Sequence, residues 1–124
     1  MQAALLYVAG VITCIWGIAH LFPTRSVVKG FGDISEDNKQ IITMEWINEG
    51  VAMIFIGLLV GSTTYIQPIG ELSSAIYILS FIGLIALAII SLFTGYKVNF
   101  IPFKMCPYIF TSSAILIYFG AFLL

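Results

Sequence analysis

The sequence predicts an all-α polytopic membrane protein, a bundle of four transmembrane helices. Three observations predict it. Of 124 residues, 60% are hydrophobic and only 9% are charged, against roughly half and a quarter in ordinary soluble domains. The mean hydropathy is +1.08. Four separate stretches are each long enough for the roughly 20 residues that cross a hydrocarbon core, which leaves about 44 residues for everything else. The longest polar stretch, Pro23 to Gln40, has no room for a core of its own. A soluble enzyme and a nucleic-acid-binding domain are both excluded, the latter also by a net charge of −1.

The first span is expected over residues 5–22, closed by Pro23, which cannot continue a helix. No basic segment precedes it and no small-residue cleavage pattern follows, so it reads as a retained helix. The second span, 41–62, is apolar except for Glu45, Asn48 and Glu49. Its helix has two plausible N-caps, Asp33 with Glu36 three residues on, or Ser35. Gly61 to Gly70, with Pro68, links it to the third span, 72–94. Gly95 to Lys104, with Pro102, forms the last loop, and Pro107 suits the first turn of the fourth span, 107–124. Loop 23–40 reads as a flexible turn over the bundle mouth, and no internal repeat occurs. The whole chain is one four-helix domain.

All five basic residues fall on one side of this arrangement: Arg25, Lys29 and Lys39 in the first loop, Lys97 and Lys104 in the third. The positive-inside rule places loops 23–40 and 95–104 in the cytoplasm and both termini outside. Tyr7, Tyr65, Tyr96 and Tyr108 near the span ends fit interfacial positions.

The chemistry is expected on the second span. Glu45 and Glu49 are one helical turn apart. If the hydrocarbon region begins near Gln40, they lie roughly 7 Å and roughly 13 Å deep. A carboxylate at such depth is costly unless paired, hydrated or protonated, so it normally faces a bundle interior or wet cavity. Glu45 has an equally economical reading as an interfacial residue pairing with Lys39 or Lys29. On the first span, Gly10, Thr13, Gly17 and His20 recur at spacings of 3, 4 and 3, on one face. Small and polar residues on one face are what membrane helices use to meet each other. His20, the only histidine, is thereby aimed inward at the depth of Glu45. The expected ligand-binding set is His20, Glu45, Asn48 and Glu49, with Tyr77 or Tyr108 completing a polar pocket; His20, Glu45 and Glu49 are the catalytic candidates. One histidine without a His or Cys partner makes a poor metal site, and no cofactor motif occurs. Cys14 and Cys106 form no CxxC, which argues against thiol–disulfide exchange. Gly57-x-x-x-Gly61 is a close-approach motif for a neighbouring helix or a second protomer.

Gly17-Ile-Ala-His20-Leu-Phe-Pro23 at the end of span one, with Glu45, Glu49-Gly50 and Gly57-Leu-Leu on span two, resembles the DoxX-like small four-helix bacterial membrane proteins over the first half of the chain. The resemblance implies a bacterial inner (plasma) membrane location and a role beside a redox partner in a larger membrane complex. A looser likeness, in residue types alone, is to sterol isomerase-type bundles. The function expected is a cytoplasm-facing His/Glu pocket that binds a lipid-like or small hydrophobic ligand, in an accessory subunit or homo-oligomer. The alternatives are an intramembrane enzyme acting by acid–base chemistry on a quinone, sterol or isoprenoid, and a small proton-coupled transporter or channel.

Overall fold

In a computed structural model, which describes residues 2–123, the chain is all-helical, and no strand occurs among the described residues. Helix α1 spans Gln2–Leu21, α2 Thr24–Gly30, α3 Glu36–Ile66, α4 Glu71–Phe93 and α5 Ile101–Tyr118. A 3₁₀ turn, Gly95–Lys97, precedes α5, and a π turn, Phe119–Leu123, extends it. The four long helices are long and apolar enough to cross a membrane. Leu124, the expected end of the fourth span, lies outside the described residues.

Local chemistry accounts for the helix ends. Ser35 caps α3, its hydroxyl accepting the Asn38 amide N–H at 3.2 Å. Glu36 and Asp37 in the first turn complement the helix dipole. Of the two expected caps, Ser35 is the one used. α3 has 31 residues, about 46 Å at 1.5 Å per residue, so it outruns a core of about 30 Å and projects beyond α1.

Two expectations give way. The turn expected over 23–40 contains α2, a helix of seven residues. Its first turn forms because the Pro23 carbonyl accepts the Val27 N–H at 2.9 Å; Gly32, at φ +73, then reverses the chain. The fourth helix starts at Ile101, not 107, so part of the expected loop is helical. Pro102 sits in its first turn, where a missing N–H costs nothing. Pro107 falls inside the helix, where packed neighbours tolerate the lost backbone bond.

The helices run alternately up and down. α1 packs most extensively on α3, then on α5; α4 packs on α5, and α3 meets α4 more lightly. The α1–α3 seam is built on glycine. A Cβ on Gly10 would lie 2.8 Å from the Gly57 carbonyl oxygen, and one on Gly17 would lie 2.7 Å from that of Gly50. Two glycines seven residues apart on each antiparallel helix therefore let the backbones touch. A Cβ on Gly61, the second glycine of the expected motif, would meet nothing within 4 Å, so within this chain only Gly57 has to be glycine for the helices to touch.

Leu6, Met53, Leu84, Phe110 and Ile117 fill the middle of the bundle. The outer surface is apolar too: Ile15, Phe55, Leu58, Leu79, Ile82 and Ile90 are each more than half exposed. Patches of this kind on a soluble monomer would be anomalous. At the end holding the termini, Thr64 Oγ1 donates to the Val60 carbonyl at 2.7 Å. Its single proton is thereby used, so the 3.1 Å contact with Tyr77 is one in which the phenol donates.

Candidate functional site

The site forms where α1 ends, at the basic end of the bundle. Gly10, Thr13, Gly17 and His20 are all buried along one face of α1. Thr13 donates its hydroxyl proton back to the Ala9 carbonyl at 2.8 Å and offers no free donor. His20, one turn past Gly17, meets α3 just beyond the glycine seam. Its imidazole stacks on the Trp46 indole, centroids 3.9 Å apart and planes 15° apart. Trp46 Nε1 donates to the His20 carbonyl oxygen at 2.7 Å. That carbonyl belongs to the last turn of α1, which lacks intrahelical donors, so Trp46 holds both the ring and the backbone of His20. Phe103 of α5 meets Trp46 edge-on at 5.3 Å.

His20 Nε2 lies 3.3 Å from Glu49 Oε2, with the side chains 5% and 37% exposed. The two are close enough for a charge pair when the imidazole is protonated, but not aligned for a hydrogen bond, and Nε2 has no hydrogen-bond partner. Beside them is a cavity of about 130 Å³, bounded by Trp16, His20 and Pro23, by Trp46, and by Pro102, Phe103 and Cys106. Trp16 Nε1 is likewise buried without a well-formed hydrogen bond, its neighbour being the weakly accepting Cys106 thiol. The Cys106 thiol donates to the Pro102 carbonyl at 3.4 Å. Buried polar groups are nearly always satisfied, so two ring nitrogens without a well-formed hydrogen bond, on residues lining one cavity, are a specific feature.

The six residues singled out by sequence do not gather. His20 and Glu49 meet. Glu45 and Asn48 are exposed on α3, and Tyr77 is buried at the opposite end with Thr64. Tyr108 is exposed and packs edge-on against Tyr96. Helix geometry explains the α3 outcome. Its buried face runs through Trp46, Gly50, Met53, Gly57, Val60 and Thr64. At 100° per residue Glu49 sits about 60° from the centre of that face, Glu45 about 100° and Asn48 about 160°. A four-residue step drifts by about 40°, enough to carry Glu45 off the rim that Glu49 occupies. Sequence reasoning passed over Trp16, Trp46, Phe103 and Cys106. A signal for Trp16 existed: it lies one turn before His20, on the same side of α1. Among the described residues no three His, Cys, Asp or Glu side chains gather to hold a metal.

No protein-family model, no curated protein and no solved structure matches the chain.

Proposed function

We propose that this chain is a multi-pass integral membrane protein that holds a small, uncharged ring compound bearing a hydrogen-bond acceptor in the cavity beside His20. In this reading the basic end faces the cytoplasm and both termini lie outside. The carrying observation is a pair of buried ring nitrogens that make no well-formed hydrogen bond, Trp16 Nε1 beside the Cys106 thiol and His20 Nε2 beside Glu49, on residues lining an aromatic cavity. An apolar cavity of about 150 Å³ accepts benzene, so about 130 Å³ suits one ring. A carbonyl or similar acceptor on that ring would satisfy the indole N–H. The membrane reading draws support from four long apolar helices, an apolar outer surface and the confinement of every basic residue to one end.

The proximity of Glu49 to His20 favours a second reading, in which the pair exchanges a proton with the bound compound. A role as an accessory subunit of a redox complex is compatible with the first reading, whose ligand would then be supplied by the partner. A proton path through the bundle fits less well, because Met53, Leu84 and Phe110 fill its middle.

Both tryptophans of the chain line the cavity, so selectively excited tryptophan fluorescence reports on this site alone. Acetophenone, a one-ring ketone, should quench the detergent-solubilised protein saturably, and ethylbenzene, without the carbonyl, should compete weakly. Trp16→Phe should weaken acetophenone roughly tenfold at most, the worth of one hydrogen bond. Unsaturable quenching that is equal in wild type and Trp16→Phe would overturn the ligand reading.

A further inference from the structure

Beside α2 the basic end carries a second concavity, of about 580 Å³, between α2 and the start of α3. Its cationic wall is made by Arg25, Lys29 and Lys39, and Asp33 is its one carboxylate. Arg25 and Lys29 are one helical turn apart and exposed, and among the described residues neither makes a salt bridge. Lys39 is bridged to Glu36 at 2.6 Å. The two threonines there bring no donors: Thr24 gives its hydroxyl proton to the Leu21 carbonyl and Thr43 to that of Lys39. The free donors are thus the guanidinium of Arg25 and the ammonium of Lys29, a pair suited to a phosphate. Apolar surface adjoins the cations. Val28 lines the concavity, Phe22, 84% exposed, immediately precedes this segment, and Met44, more than half exposed, follows Thr43 on α3.

From this juxtaposition we infer that the cradle binds the headgroup of an anionic phospholipid in the leaflet at the basic end. The phosphate sits between Arg25 and Lys29, and the acyl chains lie along Phe22, Val28 and Met44. A free phosphate would use the cations but not the apolar flank; a zwitterionic lipid would use the flank but carries no net charge to the cations. The inference rests on the membrane reading and is independent of the His20 cavity.

The test is native mass spectrometry of the full-length protein titrated in detergent with dioleoyl phosphatidylglycerol or dioleoyl phosphatidylcholine. Phosphatidylglycerol should bind the more tightly. Its affinity should fall about fivefold for each of Arg25→Gln and Lys29→Gln. Lys97→Gln and Lys104→Gln, cations of the other basic loop, should leave it unchanged. Asp33→Asn should tighten it, a gain that misfolding cannot imitate. Equal binding of the two lipids, or equal losses from Lys97→Gln, would overturn the proposal, and complete displacement of phosphatidylglycerol by 10-fold less inorganic phosphate would transfer the site to a free anion. Flotation with phosphatidylcholine vesicles separates the two levels of failure: a protein that does not float refutes the membrane reading, whereas one that floats but ignores headgroup charge refutes this inference alone.

Discussion

Replacing Gly17 by alanine tests the seam that sets His20 against Trp46 and Glu49. The new Cβ would lie 2.7 Å from the Gly50 carbonyl oxygen and 2.9 Å from both the Ile54 amide nitrogen and Ile54 Cγ1. Ordinary contact starts at 3.4 Å, so α1 and α3 must part by about 0.7 Å. Two of the three opposing atoms are backbone and cannot rotate away. A gap of that size forfeits about a quarter to a half of each dispersion contact it opens, and overpacking of this kind costs about 1–3 kcal/mol. Alanine's better helix propensity offsets about 0.8–1 kcal/mol, leaving a net loss of up to about 2 kcal/mol. Gly61→Ala is the matched control. Its Cβ meets nothing within 4 Å, so it should be neutral or stabilising by up to about 1 kcal/mol. Unfolding both variants with SDS in mixed micelles, followed by far-ultraviolet circular dichroism, measures the difference. Acetophenone quenching should also weaken in Gly17→Ala, because His20 follows one turn later on the displaced helix. If Gly17→Ala unfolds at the same SDS fraction as Gly61→Ala, the backbone-contact account of the seam is wrong.

Trp46→Phe keeps a ring against His20 but removes the donor to the His20 carbonyl; stranding that oxygen should cost about 1–3 kcal/mol by the same titration, and an unchanged midpoint would show that the carbonyl has another partner. Thr64→Val should cost about 1–3 kcal/mol, because it strands a phenol only 1% exposed. Tyr77→Phe should cost less, since Thr64 still donates to Val60; the reverse order would contradict the assigned direction of that hydrogen bond. With Cys14 and Cys106 replaced, a single cysteine at Ser35 should label only from the cytoplasmic side of intact cells, and one added after Leu124 only from outside. The opposite pattern would invert the orientation.

Half of the candidate site is legible in the linear sequence. His20 can be aimed inward because Gly10, Thr13 and Gly17 share its face, and small residues at that spacing dictate which side of α1 packs. Glu49 can be selected for its depth among apolar neighbours. Glu45 and Asn48 cannot be sorted from it. A four-residue spacing says that two side chains are neighbours, whereas the direction of the packed face depends on the opposing helix. Tyr77 and Tyr108 stand out by residue type alone, and type carries no position along the bundle.

By itself, the sequence determined the helical class, the four long apolar helices and the side on which every basic residue falls. These follow from composition and chain order, which no packing arrangement can change. Only the tertiary structure decided what surrounds His20. The glycine seam fixes how α1 lies on α3 and so places Trp46, not Glu45, over the imidazole. The extra turn of α5 before Pro107 turns an expected loop into the cavity wall of Pro102, Phe103 and Cys106. Both outcomes depend on contacts between residues far apart in the chain, and their partners are set by shapes that a linear pattern does not contain.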